Sequence, residues 1–364
     1  MYGFGLSGFY GGHSNGQKRP YNPTTTRRDK TIVSCYKSLM SALANFEHSL
    51  KALPLGQSVA AGVSGGPDSM AMLFLLSQWA RKNGVHIHAI TVDHGLRTES
   101  AIEAKMVESF AKNLRNVTHR IVKWEGNKPA TRILEEARAA RYALMAGVMH
   151  ESGAKHLFVA HHRDDQAETF LIRLAKGSGL DGLSGMRVVQ ETENGITLVR
   201  PLLNFSKEEL VALCEEQNIP YARDPSNENE KYLRPRLRAA QGILEEEGLS
   251  AKRLATTAKR LARARSALEE SAGVLFEAAL IEKREDGFIF DINKLRASHE
   301  ELVLRVLLKA MDELRPDAAY APRMEKLENL LERFMSDPAF NGATLGGCIF
   351  ALEVKNARLW VGKE

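Results

Sequence analysis

The sequence predicts an α/β fold, a mostly parallel doubly wound sheet followed by a helical domain and a small C-terminal hairpin region. Three observations predict it. From about residue 57, short apolar runs alternate with amphipathic segments, strand then helix, at a spacing that calls for right-handed crossovers. After about residue 245 the strand pattern gives way to helical periodicity up to about residue 335. The 364 residues are 44% hydrophobic and 26% charged, enough apolar material for two or three cored units and too much for disorder throughout.

The elements follow in order. Residues 1–31 are rich in Gly, Asn, Ser and Thr, carry Lys18, Arg19, Arg27, Arg28 and Lys30, and lack a sustained period, so a mobile tail is expected. Residues 32–56 read as a leading helix. The main unit is expected over 57–245: "SVAAGV" is a strand and residues 68–82 a helix, then "VHIHAITVDH" with "ESAIEAKMVESFAKNL", then "THRIVKW" with "ATRILEEARAARYALMAGVMHE". "KHLFVAHH" and "ITLVRPLL" continue the series, each followed by a helical pattern. Ligands of such sheets sit at the strand carboxyl ends, where Ser64, Asp93, His161 and Arg200 all fall. Residues 246–335 are read as a helical domain and 336–364 as a small β element.

The stretch "VSGGPDS" joins the first strand to the first helix. Gly65 and Gly66 let backbone N–H groups approach an anion, Ser64 and Ser69 add hydroxyl donors, and the helix N-terminus points its positive end at the same place. No lysine stands in this loop, whereas the common ATPase loop uses one to reach the phosphates it transfers. A lysine-free cup suits an intact pyrophosphate, with chemistry at the α phosphate. Asp68 would repel bare polyphosphate, so its use is through Mg²⁺. An ordinary strand-to-helix turn is the plain alternative, and the strand-loop-helix context with Asp68 and Ser69 argues against it.

Further along, "HHRDDQAET" places Asp165 and Glu168 three apart on one face at a helix start, a pair able to bind a dibasic amino acid. Carboxylates favour helix N-termini anyway, so the pair alone decides nothing. His161 and His162 are adjacent on a strand and should face opposite sides, at most one of them toward the cleft, which excludes a shared metal. Arg138 and Arg141 lie at i and i+3 on a helix and make one edge of it cationic. Gly177, Gly179, Gly182 and Gly185 read as a compact turn.

These blocks resemble a known family. SGGPDS looks like the pyrophosphate loop of the N-type ATP pyrophosphatases, whose sheet is adenine nucleotide alpha hydrolase-like. "TVDHGLRTES", "AHHRDDQAETFLIRLAKGSGLDGLSGM", "RPLL" and "DPSNENEKYLRPRLR" resemble, in the same order, the blocks of the tRNA(Ile)-lysidine synthase family. The match runs over roughly residues 57–240, and "TLGGCIF" is similar to a C-terminal segment of that family. The resemblance implies a ligase that uses ATP and Mg²⁺ to adenylate the wobble cytidine of an isoleucine tRNA with a CAU anticodon, after which the amine of free L-lysine displaces AMP. It assigns lysine recognition to Asp165 and Glu168, with Asp164 beside them. Ser64, Gly65, Gly66, Pro67, Asp68 and Ser69 would hold ATP, Val92 and His94 its adenine, and Arg138 and Arg141 its phosphates. Catalysis would fall to Asp68, Asp165, Glu168 and Arg234. The family's pattern has Asn where this chain has Pro235, which alters the setting of Arg236 and Arg238, expected on RNA.

The helix expected over residues 250–270 adds a second RNA surface. At 100° per residue Lys252, Arg253, Lys259, Arg260 and Arg263 fall within an arc of roughly 120°, with Leu254, Leu261 and Leu268 opposite. Residues 231–265 hold ten Lys or Arg against three Glu, a local +7 against +5 for the whole chain, which favours phosphate contact over a merely solvated face. The sequence pI near 9.0 agrees with an anionic partner. No run approaches a membrane span and no secretion signal is visible, so the cytoplasm is the expected compartment, and a homodimer is compatible with the class. Cys35, Cys214 and Cys348 form no C-x-x-C. That weighs against the nearest rival, a tRNA thiolase on the same fold. An amidotransferase-type synthetase would need a glutaminase domain that the chain lacks room for. A non-catalytic tRNA-binding protein has no use for Asp68, Asp165 and Glu168 together.

Overall fold

A computed structural model describes residues 27–364 except 52, 96–98, 126–132, 193–194, 224–232, 317–322 and 338–339. The first unit is a six-stranded sheet with order β3-β2-β1-β4-β6-β5. It comprises β1 (Ser58–Gly62), β2 (His86–Asp93), β3 (Val117–Lys123), β4 (His156–Phe158), β5 (Val189–Glu191) and β6 (Thr197–Val199). All pairings are parallel except that of β5 with β6.

The strands sort their side chains by alternation. Val59 and Ala61 of β1, and Ile87 and Ala89 of β2, enter a core with Met70, Leu73 and Leu76 of α2 (Pro67–Asn83), Phe46 of α1 (Arg27–Leu50) and Leu210 of α7 (Lys207–Glu216). Ala60 and Ile90 point the other way, onto Met145 and Met149 of α4 (Ile133–Ser152). Both faces are therefore covered, as a parallel sheet requires. On the first face, Val107 of α3 (Ser100–Ala111) completes the layer.

The second unit corrects one expectation. The stretch read as helical contains β7 (Leu280–Lys283) and β8 (Gly287–Asp291), which extend the expected C-terminal hairpin strands. With β9 (Gly342–Leu345), β10 (Cys348–Glu353) and β11 (Arg358–Lys363) they form an antiparallel sheet of order β7-β8-β11-β10-β9. An Asp286-Gly287 turn between two short apolar runs is the local hairpin signal. The pairing that stabilises β8, however, is with β11, some seventy residues later, so no local period shows it. Its core joins Phe288 and Phe290 to α12 (Glu300–Leu314) and α13 (Met324–Ser336). The leading helix also starts at Arg27, ahead of the expected boundary at residue 32; residues 1–26 of the expected tail lie outside the described residues.

Helix α10 (Ala251–Ala279) joins the units. It packs on α5 (Arg163–Ala175) and α6 (Leu180–Leu183) at one end and on α11 (Ile292–Arg296) and α12 at the other. Two short helices precede it, α8 (Leu233–Ala239) and α9 (Gln241–Glu246).

Candidate active site

The loop after β1 is held from three sides. Gly65 has φ +90°, a conformation that glycine adopts at little cost. Its carbonyl accepts from Ala222 N–H at 2.9 Å, and the Cys214 thiol donates to Pro67 O at 3.4 Å. Inside the loop, Ser69 Oγ donates to Gly66 O at 3.0 Å and accepts from Ser64 N–H at 3.1 Å, while the Ser64 and Ser69 hydroxyls lie 3.2 Å apart. Helix α2 begins at Pro67 with no side-chain cap, which leaves its first-turn N–H groups to an anion.

Asp68 opens from this first turn toward α5 and α7. Its Oδ2 lies 3.7 Å from His162 Nε2 and 3.5 Å from Lys207 Nζ, and its Oδ1 is buried with no hydrogen-bond partner. The lysine that the loop lacks in sequence thus reaches it from α7. His162 caps α5 in a capping box: when the ring is neutral its Nδ1 accepts from Asp164 N–H, and its backbone N–H donates to Asp165 Oδ2 at 3.0 Å. The Nε2 edge is left facing Asp68 and Asp165, the latter at 3.5 Å. Burial opposes charge on this imidazole, but the Asp164 contact and the carboxylates of Asp165 and Asp68 outweigh it and raise its pKa. The pyrophosphate-type loop and the acidic pair therefore meet on one side chain.

Glu168 and Asp165 are both buried on α5. Arg238 of α8 donates from Nε to Glu168 Oε1 at 2.5 Å and from Nη2 to Oε2 at 3.3 Å, and its Nη2 lies 3.7 Å from Asp165. Arg234 Nε stands 3.8 Å from the same Glu168 carboxylate. Arg238, expected on RNA, pairs with these carboxylates while 37% of its side chain stays exposed, since two buried carboxylates without a cation would be costly. Pro235 falls in the first turn of α8, where a missing N–H costs nothing, and Arg236 is exposed.

Two cavities flank the start of α5. The larger, 1260 Å³, is lined among others by Arg138, Tyr142, His161, Thr169, Arg200 and Arg234. The smaller, 400 Å³, is lined among others by His162, Asp164, Glu168, Lys207 and Arg238. The two histidines line different cavities, so they point to opposite sides as expected of neighbours leaving a strand. His161 is pushed down to about 4 by burial first and then by Arg200, Arg138 and Arg234, against the pull of Asp165. Arg200 is buried, bonded to Arg187 O and to Gln190.

At the end of β2, Arg141 Nη2 lies 3.4 Å from His94 Nε2, and Val92 packs partly against the α4 face with Tyr142. Arg138 lies over the Tyr142 ring at 5.2 Å. Asp93 serves the turn itself, accepting from Ser100 Oγ at 2.6 Å and Gly95 N–H at 2.9 Å. The glycines after α5 make the expected compact turn: Gly185, at φ +71°, lies against the Gln166 amide, which bonds Met186 at both N and O. On α10, Lys252, Arg253, Lys259, Arg260 and Arg263 are all exposed, while Leu254 and Ala258 are buried against Ala167 and Phe170 of α5. The sequence reading missed Lys207, His162 as a bridge, and the pairing of Arg238. The run "NFSKEEL" signals only a helix start with a capping box at Ser206 and Glu209, and nothing local says that its lysine reaches the loop.

Among the described residues, no set of three or more His, Cys, Asp or Glu side chains could hold a metal, and no helix is long and apolar enough to cross a membrane. Cys214 and Cys348 are free and buried in different cores.

Residues 38–244 match the model of the PP-loop domain, so the chain is a PP-loop protein that uses ATP. Among solved structures it is similar to the U34-tRNA thiolase NcsA of Methanococcus maripaludis, with TM-score 0.54 and 18% identity over 63% of this chain and 80% of that one, a likeness of fold alone. Sequence relatives are more specific. It is 43% identical to the tRNA(Ile)-lysidine synthase of Bradyrhizobium sp. (strain BTAi1 / ATCC BAA-1182) over 78% of this chain and 81% of that protein. It is 41% identical to that of Methylobacterium nodulans over 82% and 89%, and 37% identical to that of Wolbachia pipientis wMel over 80% and 67%. The chain belongs to the tRNA(Ile)-lysidine synthase family.

Proposed function

We propose that the protein ligates free L-lysine to the wobble cytidine of an isoleucine tRNA, at the expense of ATP and with release of pyrophosphate and AMP. One observation carries this reading: Asp68 of the loop and Asp165 of the acidic pair approach the same imidazole, His162. Nucleotide activation and amine capture then share one rim of the sheet.

In this reading the cytosine carbonyl oxygen attacks the α phosphate and pyrophosphate departs into the cup of Ser64, Gly65, Gly66 and Ser69. The carbonyl oxygen, a poor leaving group before, now leaves with AMP when the lysine amine attacks the ring carbon. Asp165 and Glu168 hold the lysine, and one of them accepts the proton its ammonium must lose. Arg138, Arg141 and Arg234 offset charge growing on the phosphate, and Val92 and His94 border the adenine. Mg²⁺, when bound with ATP, would neutralise phosphate charge; the buried, unpartnered Asp68 Oδ1 fits it, since Mg²⁺ commonly takes one carboxylate and completes its shell from phosphates and water. The exposed arc of α10, with Arg236, would carry the tRNA backbone. The lack of a membrane-crossing helix among the described residues is consistent with a cytoplasmic enzyme.

The test is incorporation of radiolabelled lysine into unmodified isoleucine tRNA. Wild-type protein should release one pyrophosphate and one AMP per lysine incorporated, only when that tRNA is present. Asp68→Ala should abolish release while tRNA binding persists, and Glu168→Gln should raise the lysine KM at least about tenfold, as expected when one charge-assisted hydrogen bond is removed. Sulfur incorporation without lysine, or no turnover at all, would reject the assignment.

A further inference from the structure

The lysine site proposed above is already filled by a cation of the chain itself. Both Glu168 oxygens accept from Arg238, one from Nε at 2.5 Å and the other from Nη2 at 3.3 Å, and the same Nη2 reaches toward Asp165. A bidentate guanidinium is the strongest partner a carboxylate finds in a protein, and a lysine ammonium offers only a point charge in its place. Substrate must compete with this contact for Glu168. Yet Glu168 is nearly inaccessible to water, at 7% exposure, and cannot be left bare.

The support of Arg238 is slight. Helix α8 is seven residues long and, among the described residues, packs mainly on α5 and α9. The same short helix exposes Arg236 and points Arg234 into the large arginine-lined cavity. Arg234 and Arg238 lie one turn apart on the same side of α8, both near Glu168, so an anionic strand arriving at that side would meet the cation on Glu168 directly.

From this arrangement we propose that Arg238 is an internal competitor for the amino-acid substrate, and that phosphates of the bound tRNA draw it off Glu168 so that lysine can take its place. The inference rests on the lysine-binding reading of Asp165 and Glu168. The exchange conserves charge pairing: Arg238 trades a carboxylate for a phosphate, and Glu168 trades a guanidinium for an ammonium. With lysine alone, Arg238 would be displaced from its carboxylate without a new anion; with tRNA alone, Glu168 would be uncovered. Each ligand removes the cost the other would meet, so their binding must be positively coupled, by the same factor in both directions. The amine is thereby kept out of the site until there is a nucleotide to receive it.

Equilibrium dialysis of radiolabelled L-lysine against the full-length protein tests this, with α,β-methylene ATP in every arm so that no turnover occurs. Unmodified isoleucine tRNA should tighten lysine binding to the wild type about tenfold or more. Arg238→Met should bind lysine without tRNA within about twofold of the tRNA-bound wild type, tRNA should no longer change that value, and lysine should raise the melting temperature of this variant more than that of the wild type. If Arg238→Met does not fold, Arg238→Lys carries the test: its weaker hold on Glu168 should shrink the coupling to a few-fold. Equal lysine affinity with and without tRNA in the wild type, or weaker tRNA-free binding in Arg238→Met than in the wild type, overturns the proposal. Wild-type protein that binds no lysine in any arm, and incorporates none when ATP replaces the analogue, instead overturns the lysine-binding reading beneath it.

Discussion

His161 and His162 are neighbours in the chain whose affinities for a proton are shifted in opposite directions. His162 meets carboxylates from two helices, whereas His161 meets arginines across the larger cavity. The two therefore bend the stability curve in opposite directions. A raised folded pKa means that His162 contributes stability fully present below its unfolded value near 6.5 and lost as pH rises through the folded value, so His162→Gln should cost more at pH 6 than at pH 9. His161, held near 4, is neutral in the fold while the unfolded chain takes up a proton below about 6.5, so it withdraws stability as pH falls, about 2 kcal/mol by pH 5. Urea unfolding at pH 7 and pH 5 should show His161→Gln losing less than the wild type over that interval; an equal loss would contradict the depressed value. At this scale the sequence was legible where the chemistry lies in a contiguous motif. Asp68, Asp165 and Glu168 stand out from spacing and resemblance. Lys207 and Arg238 escape because each reaches the site across a helix interface, and a local reading of charge assigns both to solvent or RNA.

Helices fare differently from strands. The basic arc of α10 can be read at 100° per residue because a helix writes its burial into local periodicity, and Leu254 is buried while the five cations are exposed. Neutralising Lys259, Arg260 and Arg263 together should lower tRNA affinity and reduce the slope of log K against log salt by up to about 3, roughly one for each phosphate that is no longer neutralised. An unchanged slope in a filter-binding titration would return that face to solvation. Strand β8 is the counter-example. Its backbone is completed by β7 and β11, and the latter pairing is a long-range event that no short window of sequence contains. Edge strand β5 was likewise unforeseen, since three residues give too little alternation to register.

Taken as a whole, the two units are fastened at a point that a charge controls. Arg305 of α12, 8% exposed, donates to Asp181 of α6 and Glu301 of its own helix, each at 2.9 Å. Arg305→Met should cost about 1–2 kcal/mol in urea unfolding, less than a fully buried pair because both carboxylates keep some water. It should also weaken tRNA binding by adding an uncompensated negative charge to the rim of the large cavity, with the lysine KM unmoved. The fold class of the first unit, its covered faces and the gathering of strand ends were legible from alternation alone; the junction was not, because no period or sheet rule brings Arg305 to Asp181. Across that junction α10 runs unbroken for 29 residues, on the order of 43 Å. One stiff beam thus spans both lobes and forms the backing of the very wall that carries the acids. RNA seated along it is registered to the chemistry as a ruler is to its zero mark, and error in placing the target base is set by how far the beam flexes.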